Sequence, residues 1–413
     1  MQNTKLRALI KHAYENVPYY RRVFEERGWT DKDIQTVNDL PKLPILTKND
    51  IRENFQDMLA KDYKKWKPIA GATGGSTGEP LKYYFTKDLA SIGWAGMFRG
   101  WGWAGYRIGD KRISFGGSSL VPNKSPTLFE ITRRKLERNL PLSAVSMNDA
   151  KYDKYMNTIN SYKPKFIYGY PSSIYLLADY CKSHEINKIH FDAVFSTAEV
   201  LLPNYRTAIE NQFQCEVFDQ YGSYDGGGQA LECQTHQGFH ITIEKVILEI
   251  VDENGQKLPP GKSGRIIVTD LHNYAMPFVR YAVEDMGVLA EERCTCGRGL
   301  PLMKSIEGRT TDFIVLANGV VLSGPALTLV FKDCHIKQYQ VVQEAEDKLL
   351  IKVMKGEGYT EQDTNHFLSI IKAHAGEGIE VEPEFVDEIS ATKAGKYRFI
   401  ISRVSNLRGD QKG

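Results

Sequence analysis

Short apolar runs embedded in helical pattern constrain this chain most. Residues 165–170 and 193–196 are brief, predominantly apolar segments with helical patterns between and after them. A strand apolar on both faces is buried on both faces, as in a parallel sheet covered by helices. An α/β fold is therefore expected. Residues 261–270 add a strand after the turn-rich Leu258-Pro259-Pro260-Gly261. From about residue 312 the pattern changes to strands near 338–343 and 348–354, a helix near 361–374, and strands near 380–385 and 397–404. The expected organisation is a large domain of layered sheets and helices over 1–311 and a small α+β domain over 312–413.

Other segments read as scaffold. Leu6, Leu9, Ile10, Ala13, Tyr14 and Val17 recur at helical spacing until Pro18 closes the run, and Thr47 with Asp50 forms a capping-box variant before a second helix. Trp94, Phe98, Trp101, Trp103 and Tyr106 lie within 92–106. Helix packing accounts for most of them, pocket lining being the alternative.

Lys and Arg total 53 against 51 Asp and Glu, a net charge of +2. No bulk field draws this chain to nucleic acid or to an anionic membrane, so small-molecule partners are expected. The first residues lack an apolar signal core and no apolar run reaches about 18 residues, which points to a cytoplasmic protein. Six cysteines are too few for a disulfide framework in 413 residues, which turns attention to metal binding.

The segment 71–80 reads Gly71-Ala72-Thr73-Gly74-Gly75-Ser76-Thr77-Gly78-Glu79-Pro80, with four glycines and three hydroxyl residues in ten positions. It has little apolar surface to bury, and its glycines lose the most backbone freedom on ordering. Backbone N–H groups free of Cβ crowding can approach an anion closely, and hydroxyls add donors, so the loop reads as a phosphate cradle. It is not a kinase-type P-loop, because Glu79-Pro80 stands where Lys-Ser/Thr would be needed. A Gly/Ser surface loop is the alternative. Residues 81–86 look like a strand, so the loop joins extended segments as a hairpin would.

Asp219-Gln220-Tyr221-Gly222-Ser223-Tyr224-Asp225 puts an aromatic, a tight turn and a carboxylate together before Gly226-Gly227-Gly228. The aromatic could stack on a base and the carboxylate could hold Mg²⁺, or the segment is simply a strand-to-helix turn. Arg280-Tyr281-Ala282-Val283-Glu284-Asp285 sets an acidic pair at an expected strand end, where an aspartate can bind ribose hydroxyls. Gly308-Arg309-Thr310-Thr311-Asp312 and Gly395-Lys396-Tyr397-Arg398 follow.

The order of these segments resembles the adenylate-forming superfamily of acyl-coenzyme A synthetases, adenylation domains and luciferases. Residues 13–20, Tyr168-Gly169-Tyr170-Pro171-Ser172 and Cys294-Thr295-Cys296-Gly297-Arg298 are similar to its phenylacetate-coenzyme A ligase branch, capsule-biosynthesis relatives included. The resemblance implies that Thr73, Gly74, Gly75, Ser76, Thr77 and Gly78 hold ATP phosphates and that Tyr221, with Gly222 and Ser223, meets adenine. It assigns Asp225 to Mg²⁺, Asp285 to ribose and Arg309 to ribose or phosphate. Ala198 and Glu199 would lie beside adenine and the acyl substrate. Lys396, on a mobile C-terminal lobe, would stabilise the adenylation transition state. Glu79, Tyr224 and Asp225 depart from the usual lysine, threonine and glutamate.

Cys233-Gln234-Thr235-His236 is a Cys-x-x-His chelate, and Cys294 and Cys296 offer two thiolates on a glycine turn. Cys233, His236, Cys294 and Cys296 make a Cys₃His set for structural Zn²⁺, with His240 the rival for the histidine position. The expected protein is an ATP-dependent ligase that activates a carboxylic acid, aryl acids being compatible, and passes the acyl group to coenzyme A. An amine acceptor and a non-catalytic nucleotide-binding scaffold are the alternatives. The resemblance is also compatible with a homodimer.

Overall fold

The computed structural model describes the chain except residues 73–80, 118–119, 122–124, 145–146, 148, 224, 310–312, 317–320, 324–326, 328–329, 332–333, 377, 391–396 and 405–413. Helix Gln2–Asn16 buries Leu6, Leu9, Ile10 and Ala13 along one stripe. Val17 is extended because Pro18 excludes the helical conformation from the residue before it, and Pro18 then opens helix Pro18–Glu25. Thr47 caps helix Lys48–Glu53: its hydroxyl accepts from the Asp50 N–H at 3.2 Å, and Asp50 accepts from the Thr47 N–H at 2.7 Å.

Strands β1 (Ile69–Ala72) and β2 (Lys82–Phe85) pair antiparallel, with Ala72 opposite Lys82, so the glycine-rich connection does leave a hairpin. Helix Lys87–Trp103 follows. Strands β3 (Arg112–Gly116), β4 (Asn139–Ser143), β5 (Phe166–Gly169), β6 (Ala193–Thr197) and β7 (Glu216–Gly222) form a parallel group in the spatial order β4-β3-β5-β6-β7. The same sheet continues through β8 (Gln229–Glu232), β9 (Phe239–Ile241), β10 (Val246–Val251), β11 (Ser263–Asp270), β12 (Tyr281–Leu289) and β13 (Leu302–Arg309), now antiparallel, in the order β7-β8-β9-β13-β12-β11-β10. Eleven strands thus share one sheet.

The parallel half is apolar on both faces, as its sequence requires. Ile167, Val194 and Val217 pack with Ile174, Leu177, Ile209 and Phe213 of helices Pro171–Ser183 and Pro203–Phe213. Phe166, Tyr168, Phe195 and Phe218 pack on the other side with Trp101 and Tyr106. Trp101 stacks on Phe195 at 4.9 Å and donates to Gln220 Oε1 at 3.0 Å, which makes it a core residue with its polar edge satisfied.

Beyond β14 (Phe313–Val315) and β15 (Val321–Ser323), a second sheet forms from β16 (Ile336–Ala345), β17 (Lys348–Lys355), β18 (Glu380–Phe385) and β19 (Ile400–Ser402), in the order β18-β17-β16-β19, with helix Glu361–Ala375. The molecule is therefore an α/β fold with a large helix-covered sheet and a smaller α+β sheet. Among the described residues no helix is long and apolar enough to cross a membrane.

Arg280 fastens the N-terminal segment to the antiparallel half. It is 2% exposed, donates to the carbonyls of Leu43 at 2.6 Å and Gly255 at 2.9 Å, and meets Glu249 at 3.3 Å. Removing one partner of such a pair leaves the other charge buried and uncompensated. Arg280→Ala is expected to lower the unfolding free energy by about 3–5 kcal/mol in urea titrations, and Arg280→Met combined with Glu249→Leu to recover part of that loss.

Candidate active site

Open α/β sheets bind ligands outside the carboxyl ends of their parallel strands. Here β6 ends at Thr197 opposite Gln220 of β7, so that Ala198 leaves the strand where Tyr221 follows on its neighbour. Just past Tyr221 the sheet turns antiparallel into β8. The segment with Tyr221 and Asp225 is therefore a strand-to-strand turn, not a strand-to-helix one.

Four side chains cross-link that turn to β12. Tyr221 donates to Asp285 Oδ2 at 2.8 Å, and Tyr281 donates to Asp225 Oδ2 at 2.7 Å. Burial, reinforced by these carboxylates, holds both phenols well above their ordinary pKa, so they remain donors. The turn closes on itself, the Ser223 N–H donating to Gly228 O at 3.0 Å and the Gly228 N–H to Ser223 Oγ at 2.9 Å. Gly227 has φ +75°, and a Cβ there would lie 2.4 Å from Asp270 Oδ2. Lys245 Nζ donates to the Gly227 carbonyl at 2.7 Å. Gly227 thus serves close packing against buried Asp270, and Gly226 does the same against Tyr281, where a Cβ would lie 2.6 Å from the ring.

The acidic pair expected at a strand end lies inside β12 instead. Glu284 has φ +65° and the register slips between Asp285 and Gly287, so an irregularity in mid-strand re-aims Asp285 towards Tyr221. Asp285 pairs in register with Arg309 of β13, which sets both backbones at one place. Glu284 contacts Lys48. The feet of the 71–80 loop are fixed nearby: Asn273 donates to Tyr84 O at 2.8 Å, and the Tyr83 ring lies 6.2 Å from Phe278. Thr73, Gly74, Gly75, Ser76, Thr77 and Gly78, with Glu79, Tyr224 and Lys396, fall outside the described residues, as does the side chain of Arg309. Glu199 is turned to main-chain donors, Ser172 N–H at 3.3 Å and Tyr397 N–H at 3.0 Å.

Beside this strand edge runs a charged network without a sequence signal of its own. Ser196 Oγ donates to Asp219 Oδ1 at 2.6 Å, the Asp219 N–H donates to Glu232 Oε2 at 2.9 Å, and Arg206 grips both oxygens of Glu232 at 2.9 Å. Burial, with Glu232 nearby, pushes Asp219 up to about 7. Burial also works to raise Glu232, but His236, Arg206 and the Asp219 amide together bring it below its ordinary value.

The cysteine cluster assembles with a different histidine from the Cys-x-x-His reading. Ligand atoms of Cys233, His240, Cys294 and Cys296 all lie within 4.8 Å of one another. Cys233 and Cys294 sulfurs are 3.6 Å apart, and Cys296 Sγ is 3.3 Å from His240 Nε2. His236 is drawn away because its turn places it left-handed, at φ +50°, with Nδ1 3.1 Å from Glu232. His240 reaches the cluster because β9 pairs with β13, setting it opposite Leu302.

Residues 314–403 match the family model described as the CapK C-terminal domain. Protein CapK of Staphylococcus aureus is 27% identical over 98% of this chain and 89% of its own length. A phenylacetate-coenzyme A ligase of Pseudomonas putida is 30% identical over 76% of this chain and 71% of its own. Among solved structures, 2-hydroxyisobutyryl-CoA ligase in the postadenylation state with 2-HIB-AMP shares the fold, with a TM-score of 0.78 at 20% identity over 97% of this chain and 88% of that one.

The raised pKa of Asp219 gives a signed expectation. An acid whose folded pKa lies above its unfolded value near 3.8 stabilises the fold at low pH and loses that contribution as pH rises towards about 7. Asp219→Asn keeps an acceptor for Ser196 without the charge. Its stability relative to wild type should rise between pH 4 and pH 8, by about 1–3 kcal/mol in urea unfolding.

Proposed function

Because the chain belongs to the phenylacetate-coenzyme A ligase family of adenylate-forming enzymes, we propose that it activates a small carboxylic acid with ATP and transfers the acyl group to coenzyme A. In the first step the carboxylate attacks the α-phosphate and the bond to pyrophosphate breaks. In the second, the thiol sulfur attacks the acyl carbon and AMP leaves. The observation that carries the reading is the pairing of Tyr221 with Asp285 beside Ala198, at the carboxyl edge where the sheet changes from parallel to antiparallel.

In this reading Tyr221 offers its ring to adenine and Asp285 its carboxylate to the ribose, with Arg309 in register beside it. The 73–78 loop supplies N–H and hydroxyl donors to the phosphates, and Lys396 supplies positive charge as the transition state gains negative charge. Asp225 gives one oxygen to Tyr281 and, as a carboxylate with acceptor capacity to spare, fits Mg²⁺. The ion supplies charge neutralisation at the phosphates when bound. Residues 312–413 would form the lobe that carries Lys396 across a core of 1–311, a division supported by the separate second sheet and the family match beginning at 314.

The cysteine cluster fits structural Zn²⁺ held by Cys233, Cys294, Cys296 and His240. A tetrahedron with Zn–S of about 2.3 Å and Zn–N of about 2.0–2.1 Å has edges of roughly 3.5–3.8 Å; the observed S–S separation of 3.6 Å falls within them and the S–N separation of 3.3 Å a little below. It would clamp the β8–β9 turn to the segment before β13.

Pyrophosphate release from ATP and Mg²⁺, measured across aryl, fatty and hydroxy acids with and without coenzyme A, tests the function. Acid-dependent release should fall at least about a hundredfold in Lys396→Ala. A product made with an amine but not coenzyme A would favour an amide ligase, and ATP binding without release for any acid would overturn the proposal. Elemental analysis should find one zinc per chain in wild type and in His236→Ala, and none in Cys294→Ser or His240→Ala; retention in His240→Ala would overturn the ligand set.

A further inference from the structure

Glu199 stands at the exit of β6 but spends its carboxylate on two backbone N–H groups from different parts of the molecule. Oε2 accepts from Ser172 at 3.3 Å and Oε1 from Tyr397 at 3.0 Å. Ser172 is the second residue of helix Pro171–Ser183, where N–H groups lack intrahelical acceptors and the helix dipole favours an anion. Tyr397 follows Lys396 directly in the chain. The residue before Glu199, Ala198, has φ +70°, a left-handed conformation that a non-glycine residue keeps only where its surroundings enforce it.

Other contacts join the same surfaces: Lys337 meets Asp179 at 2.8 Å, Lys182 meets Glu357 at 3.2 Å, and the Tyr205 ring lies 6.3 Å from Phe399. Those are side-chain contacts on the body of the C-terminal unit. Glu199 differs because it holds the main chain one residue from Lys396, and it does so from the strand end beside Tyr221.

We infer that Glu199 is a latch: its carboxylate pins the backbone after Lys396 to the β6 edge and so positions the C-terminal lobe for adenylation. This rests on the ligase reading. A contact made in one lobe arrangement and absent from the other shifts the population towards the first by its differential strength. The latch therefore favours the first half-reaction and does not assist acyl transfer.

Glu199→Ala and Glu199→Gln in the full chain test this with two readouts. Amide hydrogen exchange of the ligand-free protein should quicken about tenfold at Tyr397 in the alanine variant, and less in the glutamine variant, which keeps one carbonyl acceptor. Acid-dependent pyrophosphate release should slow about tenfold, a larger loss than that of thioester formation from supplied acyl-adenylate. Unchanged exchange at Tyr397, or equal losses in both half-reactions, would overturn the latch. Faster exchange in the variant alongside a wild type that releases no pyrophosphate with any acid would uphold the latch and overturn the ligase reading.

Discussion

Two phenol-to-carboxylate hydrogen bonds run in opposite senses between one turn and one strand: Tyr221 to Asp285 and Tyr281 to Asp225. Each joins a buried ring to an acid in a region of low dielectric, where a satisfied hydrogen bond is strong and an unpaired group is costly. Together they fix the β7–β8 turn against β12. They explain why the chain tolerates so many glycines there, since the loop draws its order from side chains on both of its partners rather than from its own packing.

Support for that pair comes from below. Gly227 sits against Asp270, whose carboxyl is pushed up to about 6 by burial against the opposing pull of Lys245, and Lys245 holds the Gly227 carbonyl. Tyr281 is held in place by the neighbouring Arg280, which reaches the N-terminal segment, while Leu46 exchanges backbone hydrogen bonds with Arg280 and Ala282. The first helices are thus part of the platform under the site, with Tyr20 donating to Pro277 O at 3.0 Å. On the parallel side, Asp219 and Glu232 link the β6 exit to the turn that carries His236.

Much of the fold was legible because burial on two faces leaves a direct trace in the sequence. The runs at 165–170 and 193–196 became β5 and β6, and the expected elements at 361–374 and 380–385 fall on Glu361–Ala375 and Glu380–Phe385. Of the site, Tyr221, Asp225 and Asp285 were legible as types in order, and three cysteines as a chelating set. Arg206 and Glu232 were not, because an ion pair between a half-buried arginine on a helix and a buried glutamate on a strand has no characteristic spacing. His240 could be named as a rival to His236 but not chosen, since each lies within a few residues of Cys233.

The sequence by itself determined the α/β class, the polar and apolar periodicities of each element, and the residue types available for phosphate, metal and carboxylate chemistry. Those depend on local pattern, which a linear chain carries directly. Tertiary structure decided which carboxylate meets which phenol, which histidine faces the thiolates, and that Glu199 reaches a backbone amide 198 positions away. Such choices turn on a slipped register in β12, a left-handed residue at Ala198 or His236, and the pairing of β9 with β13. Each is set by the packing of distant segments against one another, and none leaves a spacing in the chain from which it could be read.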